Sequence, residues 1–170
     1  YTCFMEKDNS LPIADTLAQL WKQLGINITL VNEEETKHFP KGPFIAVSRH
    51  LVGDLDYLLM LEALKHTNRE SVVVTYGETQ FSNLIGDAIV ELKERKARKV
   101  FYKLLDKKHK LNKHLDNGGA IGVFPAIEGD ETEGRTFDKI WEPAVIKLIR
   151  DLQLPVVPIS FQASDAKVLK

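Results

Sequence analysis

The sequence predicts an α/β protein in which helices cover a mostly parallel β-sheet. Short apolar runs, typical of buried strands, alternate along the chain with longer stretches whose apolar residues recur at helical spacing. The resulting order β-α-β-α-β-α-β favours a parallel sheet, because each helix returns the chain to the edge where the next strand begins. With 170 residues, 44% of them apolar, the chain fits one domain, which we expect to cover residues 1–170.

The first half of the chain contains two predicted helices and three β-prone runs. Residues 15–24 place leucines and a tryptophan at helical spacing, and the glycine that follows would end the helix as a C-cap. Residues 27–31 and 44–48 are short β-prone runs, the second introduced by the turn-forming "PKGP". Residues 54–64 indicate a helix whose leucines surround it, and Ser71–Tyr76 is a continuous apolar run that predicts a buried strand.

The second half repeats the alternation. Residues 99–115 carry apolar side chains on roughly one helical face and basic side chains on the others, and "DNGG" closes this helix. Residues 120–124 predict another buried strand, and residues 125–138 read as a long polar loop. Residues 141–152 have a regular i, i+3, i+4 apolar stripe and lead into the last predicted strand, "PVVPISF", at residues 155–161.

The charged residues are unevenly distributed although the formal net charge is only −1. Residues 93–113 contain ten lysines or arginines and two acidic residues, whereas four acidic residues crowd positions 128–133. The basic stretch could rest on anionic lipid headgroups or receive an acidic carrier protein, or it could be a solvated helix face without a function. Aromatic residues are sparse within it, which argues against nucleic-acid binding.

Cysteine usage and hydropathy indicate the redox compartment of the protein and whether the chain crosses a membrane. Cys3 is the single cysteine, so no internal disulfide can form, and a reducing compartment without a structural zinc site is the simplest interpretation. No apolar run approaches the roughly 18 residues of a transmembrane helix. The chain begins at Tyr1 without a methionine, so we expect it to be excised from a longer protein whose flanks could carry a membrane anchor.

Two polar clusters follow predicted strands, where ligands usually bind in open α/β sheets. They are "SRHLVGDLD" at residues 48–56 and "FPAIEGD" at residues 124–130. His50 precedes Asp54 and Asp56, and a carboxylate near a histidine can fix the imidazole tautomer and stabilise imidazolium. In a continuous helix the residue four positions on would share the face of the histidine and the residue six positions on would point about 240° away. Gly53 permits a turn between them, so spacing leaves the choice open.

Each cluster also has an explanation that involves no catalysis. His50 could be an ordinary loop histidine, Asp54 a helix N-cap, and Glu128 part of an acidic surface loop. The chain has no GxSxG, GxxxxGK[ST] or GxGxxG motif, which argues against serine hydrolases, P-loop NTPases and dinucleotide-binding proteins. A further alternative is metal-assisted hydrolysis, with His50, Asp54, Asp56 and a carboxylate of the 128 loop holding Mg²⁺ or Mn²⁺.

Three stretches in the right order resemble the lysophospholipid acyltransferase superfamily, over roughly residues 28–161. "KGPFIAVSRHLVGDLDYLLML" resembles its first block, and the spacing is that of the hemolysin-like and ornithine-lipid acyltransferase branch, whose His-Pro-Leu-Gly-Gly-Leu-Asp pattern selects Asp56 as the partner of His50. "NGGAIGVFPAIEGD" resembles the Phe-Pro-Ala-Gly-Glu block, which places Glu128 on the carboxylate of that pattern. "DKIWEPAVIKLIRDLQLPVVPISF" is similar to the ending of the same branch.

The chain departs from the family pattern at several positions. Ser48 and Arg49 replace the usual Ala-Asn, Leu51 replaces proline, Ile127 replaces glycine, and the arginine that follows the second block is displaced to Arg135. These departures put binding of a phosphate or headgroup in doubt. They keep open an alternative in which the chain is a catalytically degenerate module that binds lipid or an acyl carrier.

The resemblance implies an O-acyltransferase of membrane lipid synthesis. His50 would act as general base, oriented by Asp56, and would activate a lysolipid hydroxyl to attack the thioester of acyl-carrier protein or acyl-coenzyme A without a covalent acyl-enzyme. Arg49, Glu128, Arg135 and Asp54 would contribute to substrate binding. No bound cofactor or metal is expected, and the protein would be cytoplasmic and peripheral at the inner face of the membrane.

Overall fold

The computed structural model describes residues 12–51, 53–67, 69–76, 79–92, 111–126, 130–132, 135–137 and 141–163. Its strands are β1 Phe44–Val47, β2 Ser71–Tyr76, β3 Ile89–Leu92, β4 Ala120–Val123, β5 Asp130–Thr132, β6 Arg135–Phe137 and β7 Val156–Pro158. Its α-helices are α1 Ile13–Leu24, α2 Leu55–Lys65, α3 Ser82–Ile85, α4, of which residues 111–116 are described, and α5 Pro143–Leu152. Two 3₁₀-helices lie at Glu33–His38 and Gly86–Ala88.

Within the described residues, five strands form one all-parallel sheet in the order β3-β2-β4-β1-β7. Strands β1 and β4 are neighbours near the centre, with Phe44 opposite Ala120 and Val47 opposite Val123. The prediction of an α/β fold with a mostly parallel sheet covered by helices is therefore confirmed. Central parallel strands are buried on both faces, which explains why their sequences are continuously apolar.

Alternate residues of the strands feed two hydrophobic cores, one on each face of the sheet. On one face Phe44, Val73 and their neighbours pack against α1, α2 and α3. On the other face Ile45, Val72 and their neighbours pack against α4 and α5. The architecture is thus three-layered, with the sheet between two layers of helices.

Helix α2 contacts both the sheet and α1, which explains the leucines on all its sides. It approaches the sheet closely at Gly122, where a Cβ atom would lie 2.4 Å from Met60 Cγ. On its other side, Trp21 Nε1 of α1 donates a hydrogen bond of 2.9 Å to Glu62 Oε2. Glu62 is also paired with Lys65, so its buried carboxylate is fully engaged.

Several predicted elements hold and others need correction. The helix predicted at 15–24 is confirmed, with Gly25 as its left-handed C-cap at φ 64°. Residues 27–31 do not form a strand: they pair with no other strand in the described chain, and Ile28 and Val31 are 37% and 77% exposed, so a strand there would gain little burial. The helix predicted at 99–115 is confirmed only over residues 111–115, since residues 93–110 lie outside the described residues, and it continues to residue 116.

The region 125–138 is not simply a polar loop. Strands β5 and β6 pair antiparallel within it, and Ala126 forms an isolated bridge with Trp141. The strand β3 and the short helix α3 were also not predicted. None of the helices in the described part of the chain is both long and apolar enough to cross a bilayer.

Candidate active site

The polar residues predicted to carry chemistry lie at the carboxyl ends of β1 and β4. The segment after β1 leads through α2 to β2 on one side, and the segment after β4 leads through α5 to β7 on the other. The two helices cover opposite faces of the sheet. Loops that leave neighbouring parallel strands in opposite directions open a crevice between them, which is where open α/β sheets bind ligands.

A tight turn brings the two ends of the first polar cluster together. Gly53 adopts a left-handed conformation at φ 79°, a region that glycine occupies without strain. Its carbonyl accepts the N–H of Asp56 at 3.0 Å, which starts α2. Side chains in a helix lean towards its amino end, so the Asp56 carboxylate in the first turn points back towards the residues that precede the helix.

The resulting contact joins His50 to Asp56. His50 Nδ1 lies 3.1 Å from Asp56 Oδ2, and the Leu51 N–H donates to the same oxygen at 2.7 Å. Asp56 is completely buried, and the side chain of His50 is 10% exposed. An ionised carboxylate can only accept, so Nδ1 carries the proton and Nε2 presents its lone pair. Nε2 has no hydrogen-bond partner in the part of the chain that the structure describes.

Aromatic rings hold the imidazole in place. The Phe124 ring stacks on His50 at a centroid distance of 4.5 Å and an interplanar angle of 19°, and Tyr57 meets the imidazole edge-on at 5.5 Å. Tyr57 and Phe124 also contact each other at 5.4 Å, and Phe161 lies 6.4 Å from Phe124. The imidazole is therefore restricted both by a buried carboxylate and by packing, which favours one orientation of the base.

Asp54 differs from the prediction. It stands at the N-cap position of α2, but its side chain makes no hydrogen bond to the helix. Its Oδ2 instead accepts from Thr79 Oγ1 at 2.9 Å and from the Gln80 N–H at 3.1 Å. The alternative in which the Asp54 side chain caps the helix is wrong, because the turn at Gly53 directs the carboxylate to the segment that follows β2.

The structure describes only some of the remaining predicted site residues. Arg49 is exposed, and Ser48 before it is buried, with its N–H donating to the Val123 carbonyl at 3.2 Å. Glu128 lies outside the described residues. Arg135 begins β6, for which the structure describes the backbone alone.

The proposed metal ligands that the structure describes do not form a group. Among the described residues, no three or more histidine, cysteine, aspartate or glutamate side chains are arranged to hold a metal ion. Asp54, one of the expected ligands, is bonded to Thr79 and Gln80. The pairing of His50 with Asp56 supports proton transfer by the histidine instead.

Sequence reasoning missed three side chains at this site. Tyr57 and Thr79 were not considered, and Phe124 was assigned to a buried strand and to the second polar cluster without a role of its own. Phe124 begins the second polar cluster, so its place at the end of a predicted strand was a usable signal. The contact of Thr79 with Asp54 spans 25 positions along the chain and had no local signal.

Comparison with protein families gives one match. A family model described as "Acyltransferase" matches residues 27–162, which is most of the chain. Comparison with curated proteins gave no significant match, and comparison with solved structures gave none either. The matched range includes both polar clusters and all five strands of the parallel sheet.

Proposed function

The chain belongs to the acyltransferase family, and from this premise we propose that it transfers a fatty acyl group from a thioester to the hydroxyl of a lysolipid. The observation that carries this proposal is the contact of His50 with buried Asp56 at the carboxyl edge of the sheet. It leaves Nε2 as the basic atom, as a general base for a hydroxyl requires.

The reaction follows from that arrangement. Nε2 of His50 takes the proton of the acceptor hydroxyl while the hydroxyl oxygen attacks the thioester carbonyl carbon. A carbon–oxygen bond forms, and the tetrahedral intermediate then breaks its carbon–sulfur bond. The imidazolium returns the proton to the departing thiolate, so the products are an ester and a free thiol, and the enzyme is regenerated without a covalent acyl-enzyme.

Asp56 acts through His50 in both steps. Its carboxylate holds the proton on Nδ1 before the reaction and stabilises the positive ring after Nε2 has accepted a proton. The face of the Phe124 ring, 4.5 Å from the imidazole, adds attraction for the same positive charge. Positioned general-base catalysis contributes typically about 10²–10⁴-fold, so orientation and oxyanion stabilisation must supply the rest.

Substrate contacts belong to the proposal as well. Arg49 is exposed beside His50 and is suited to an anionic headgroup or to the developing oxyanion. Backbone N–H groups after Pro125 are further candidate donors, and Glu128 and Arg135 are proposed to contact the acceptor. The acyl donor is acyl-carrier protein or acyl-coenzyme A, and no other cofactor is proposed.

The family branch and the location are proposed on the sequence pattern. Residues 50–56 match the spacing of the hemolysin-like and ornithine-lipid acyltransferases, which favours a role in membrane lipid synthesis. The basic residues between 93 and 113 favour a peripheral position on an anionic membrane surface, at the cytoplasmic side.

A matrix of donors and acceptors tests the function. The protein is incubated with acyl-coenzyme A or acyl-carrier protein and with a panel of lysolipids, while released thiol is followed and the esterified product is identified by mass spectrometry. Acceptor-dependent thiol release with a matching ester is expected. Thiol release without an acceptor would indicate thioester hydrolysis, and ligand retention without turnover for every pair would favour the binding-module alternative. Activity that disappears in excess chelator would favour metal-assisted chemistry.

A further inference from the structure

Asp54 has an unusual position for an aspartate at the start of a helix. The N-cap position of α2 is where aspartate commonly accepts a backbone N–H of the first helical turn. Here the backbone carbonyl of Asp54 accepts the Tyr57 N–H at 3.3 Å, but the side chain makes no cap hydrogen bond. The carboxylate therefore accepts hydrogen bonds from Thr79 and Gln80 and none from the first turn of α2.

The segment that binds this carboxylate, residues 79–82, is held by its own hydrogen bonds. Thr79 is 3% exposed, its N–H donates to Ser82 Oγ at 3.2 Å, and its carbonyl accepts the Ser82 N–H at 3.0 Å. Its hydroxyl oxygen also accepts the Phe81 N–H at 3.3 Å. Helix α3 follows directly, with Leu84 and Ile85 buried in the core. The segment 79–82 is thus a fixed anchor point.

The hydrogen bond between Asp54 and Thr79 crosses the end of one strand of the sheet. Strand β4 lies between β1 and β2, so a contact from the turn after β1 to the segment after β2 passes over the carboxyl end of β4. Phe124, whose ring stacks on His50, emerges from that same end of β4. His50 and Asp54, at the two ends of this turn, are consequently held by two separate sets of contacts: stacking on Phe124, and hydrogen bonds from Thr79 and Gln80 to the carboxylate.

We infer that Asp54 is a positioning residue that holds the His50 turn in its reactive geometry by anchoring it to Thr79 and Gln80. The carboxylate accepts both a hydroxyl and a backbone N–H, and hydrogen bonds to an ionised acceptor are stronger than neutral ones. Asp54 does not touch the reacting atoms in this role. The inference rests on the proposed function for its effect on turnover, but the geometry of the turn can be tested without it.

Two substitutions separate anchoring from other roles. Asp54→Ala removes the acceptor, whereas Asp54→Asn keeps a side-chain oxygen for Thr79 and Gln80. We expect Asp54→Ala to lower kcat about 10- to 100-fold with KM little changed, as a small misplacement of the base would, and Asp54→Asn to recover most of that loss. Thr79→Val should lower kcat in the same direction, and adding it to Asp54→Ala should cause little further loss, because both remove one contact. Asp151→Ala, an exposed aspartate on α5, is the matched control.

A second measurement does not depend on turnover. In proton NMR spectra the Nδ1–H of His50, held by Asp56, should give a downfield signal that is absent from His50→Ala. We expect this signal to weaken or exchange faster in Asp54→Ala and in Thr79→Val, and to persist in Asp54→Asn and Asp151→Ala.

An Asp54→Ala protein with an unchanged signal and full kcat would overturn the inference, as would an Asp54→Asn protein as impaired as Asp54→Ala. If Asp54→Ala does not fold, Thr79→Val decides: a folded Thr79→Val with the wild-type signal and kcat overturns the inference. If no thioester is turned over by the wild-type protein, the proposed function fails while the NMR comparison still decides the role of Asp54.

Discussion

Replacing Asp56 with asparagine should disable the base while leaving the fold intact. Asp56 Oδ2 accepts from His50 Nδ1 and from the Leu51 N–H, and an asparagine oxygen in the same place could still accept one or both. The negative charge is lost, however. A hydrogen bond to a charged group is worth about 1.5–3 kcal/mol and a neutral one about 0.5–1.5 kcal/mol.

The loss falls on the step in which His50 becomes positive. The lower ends and the upper ends of these two ranges differ by about 1–1.5 kcal/mol, which corresponds to a fall in kcat of about 5- to 10-fold. If the amide turns its NH₂ group towards Nδ1, the ring proton must move to Nε2 and the base is blocked, which in a comparable catalytic arrangement costs about 10⁴-fold. The predicted range for Asp56→Asn is therefore a fall of at least about 5-fold in kcat.

The assay is the rate of acceptor-dependent thiol release at saturating donor and acceptor, together with the free energy of unfolding in urea. The matched control is Asp151→Asn, which makes the same chemical change at an exposed position on α5. We expect the control to keep wild-type kcat and stability, and Asp56→Asn to remain folded in the absence of urea. A folded Asp56→Asn with wild-type kcat would refute the role given to the His50–Asp56 contact.

Three further changes test the packing around the site. Gly122→Ala should cost about 1–3 kcal/mol in the free energy of unfolding, because its Cβ would lie 2.4 Å from the buried Met60 Cγ. Trp21→Phe should cost about 1.5–3 kcal/mol in the same measurement, since the buried Glu62 carboxylate loses a donor at 2.9 Å. Phe124→Leu should lower kcat about 2- to 10-fold, because it removes the aromatic face stacked on the imidazole.

Each of these changes has a clear contrary result. An unchanged urea midpoint for Gly122→Ala would show that the sheet and Met60 move apart to accept the methyl group. An unchanged midpoint for Trp21→Phe would show that the Trp21 hydrogen bond does not contribute to stability. An unchanged kcat for a folded Phe124→Leu would show that Asp56 alone orients His50. Gly42→Ala, an open position before β1 with nothing within 4 Å of its Cβ, is the matched control for Gly122→Ala.

The fold was largely predictable because its signals are local. The buried strands at Ser71–Tyr76 and Ala120–Val123 are continuous apolar runs, and α1 and α5 have regular apolar stripes. Strand β3 was missed because it is four residues long and contains Glu91. The run at 27–31 was misassigned because its β-prone residues say nothing about whether a partner strand lies beside them.

The candidate site was predictable only in part. The spacing of His50, Asp54 and Asp56 left two partners open, since helical geometry favours the fourth residue and not the sixth. The family pattern indicated Asp56, and the left-handed turn at Gly53 provides the path by which its carboxylate reaches His50. The contact of Asp54 with Thr79 depends on how β2 and α2 pack against each other, which local sequence does not determine.

Acyl transfer by His50→Ala tests whether His50 is the general base of the reaction. Wild-type protein and the variant are given the same acyl thioester and lysolipid, and the ester product is quantified over time, with folding checked by circular dichroism. We expect ester formation by the wild-type protein and a loss of about 10²–10⁴-fold in the variant, the usual contribution of a positioned general base. A folded His50→Ala protein that forms the ester at the wild-type rate would contradict this role.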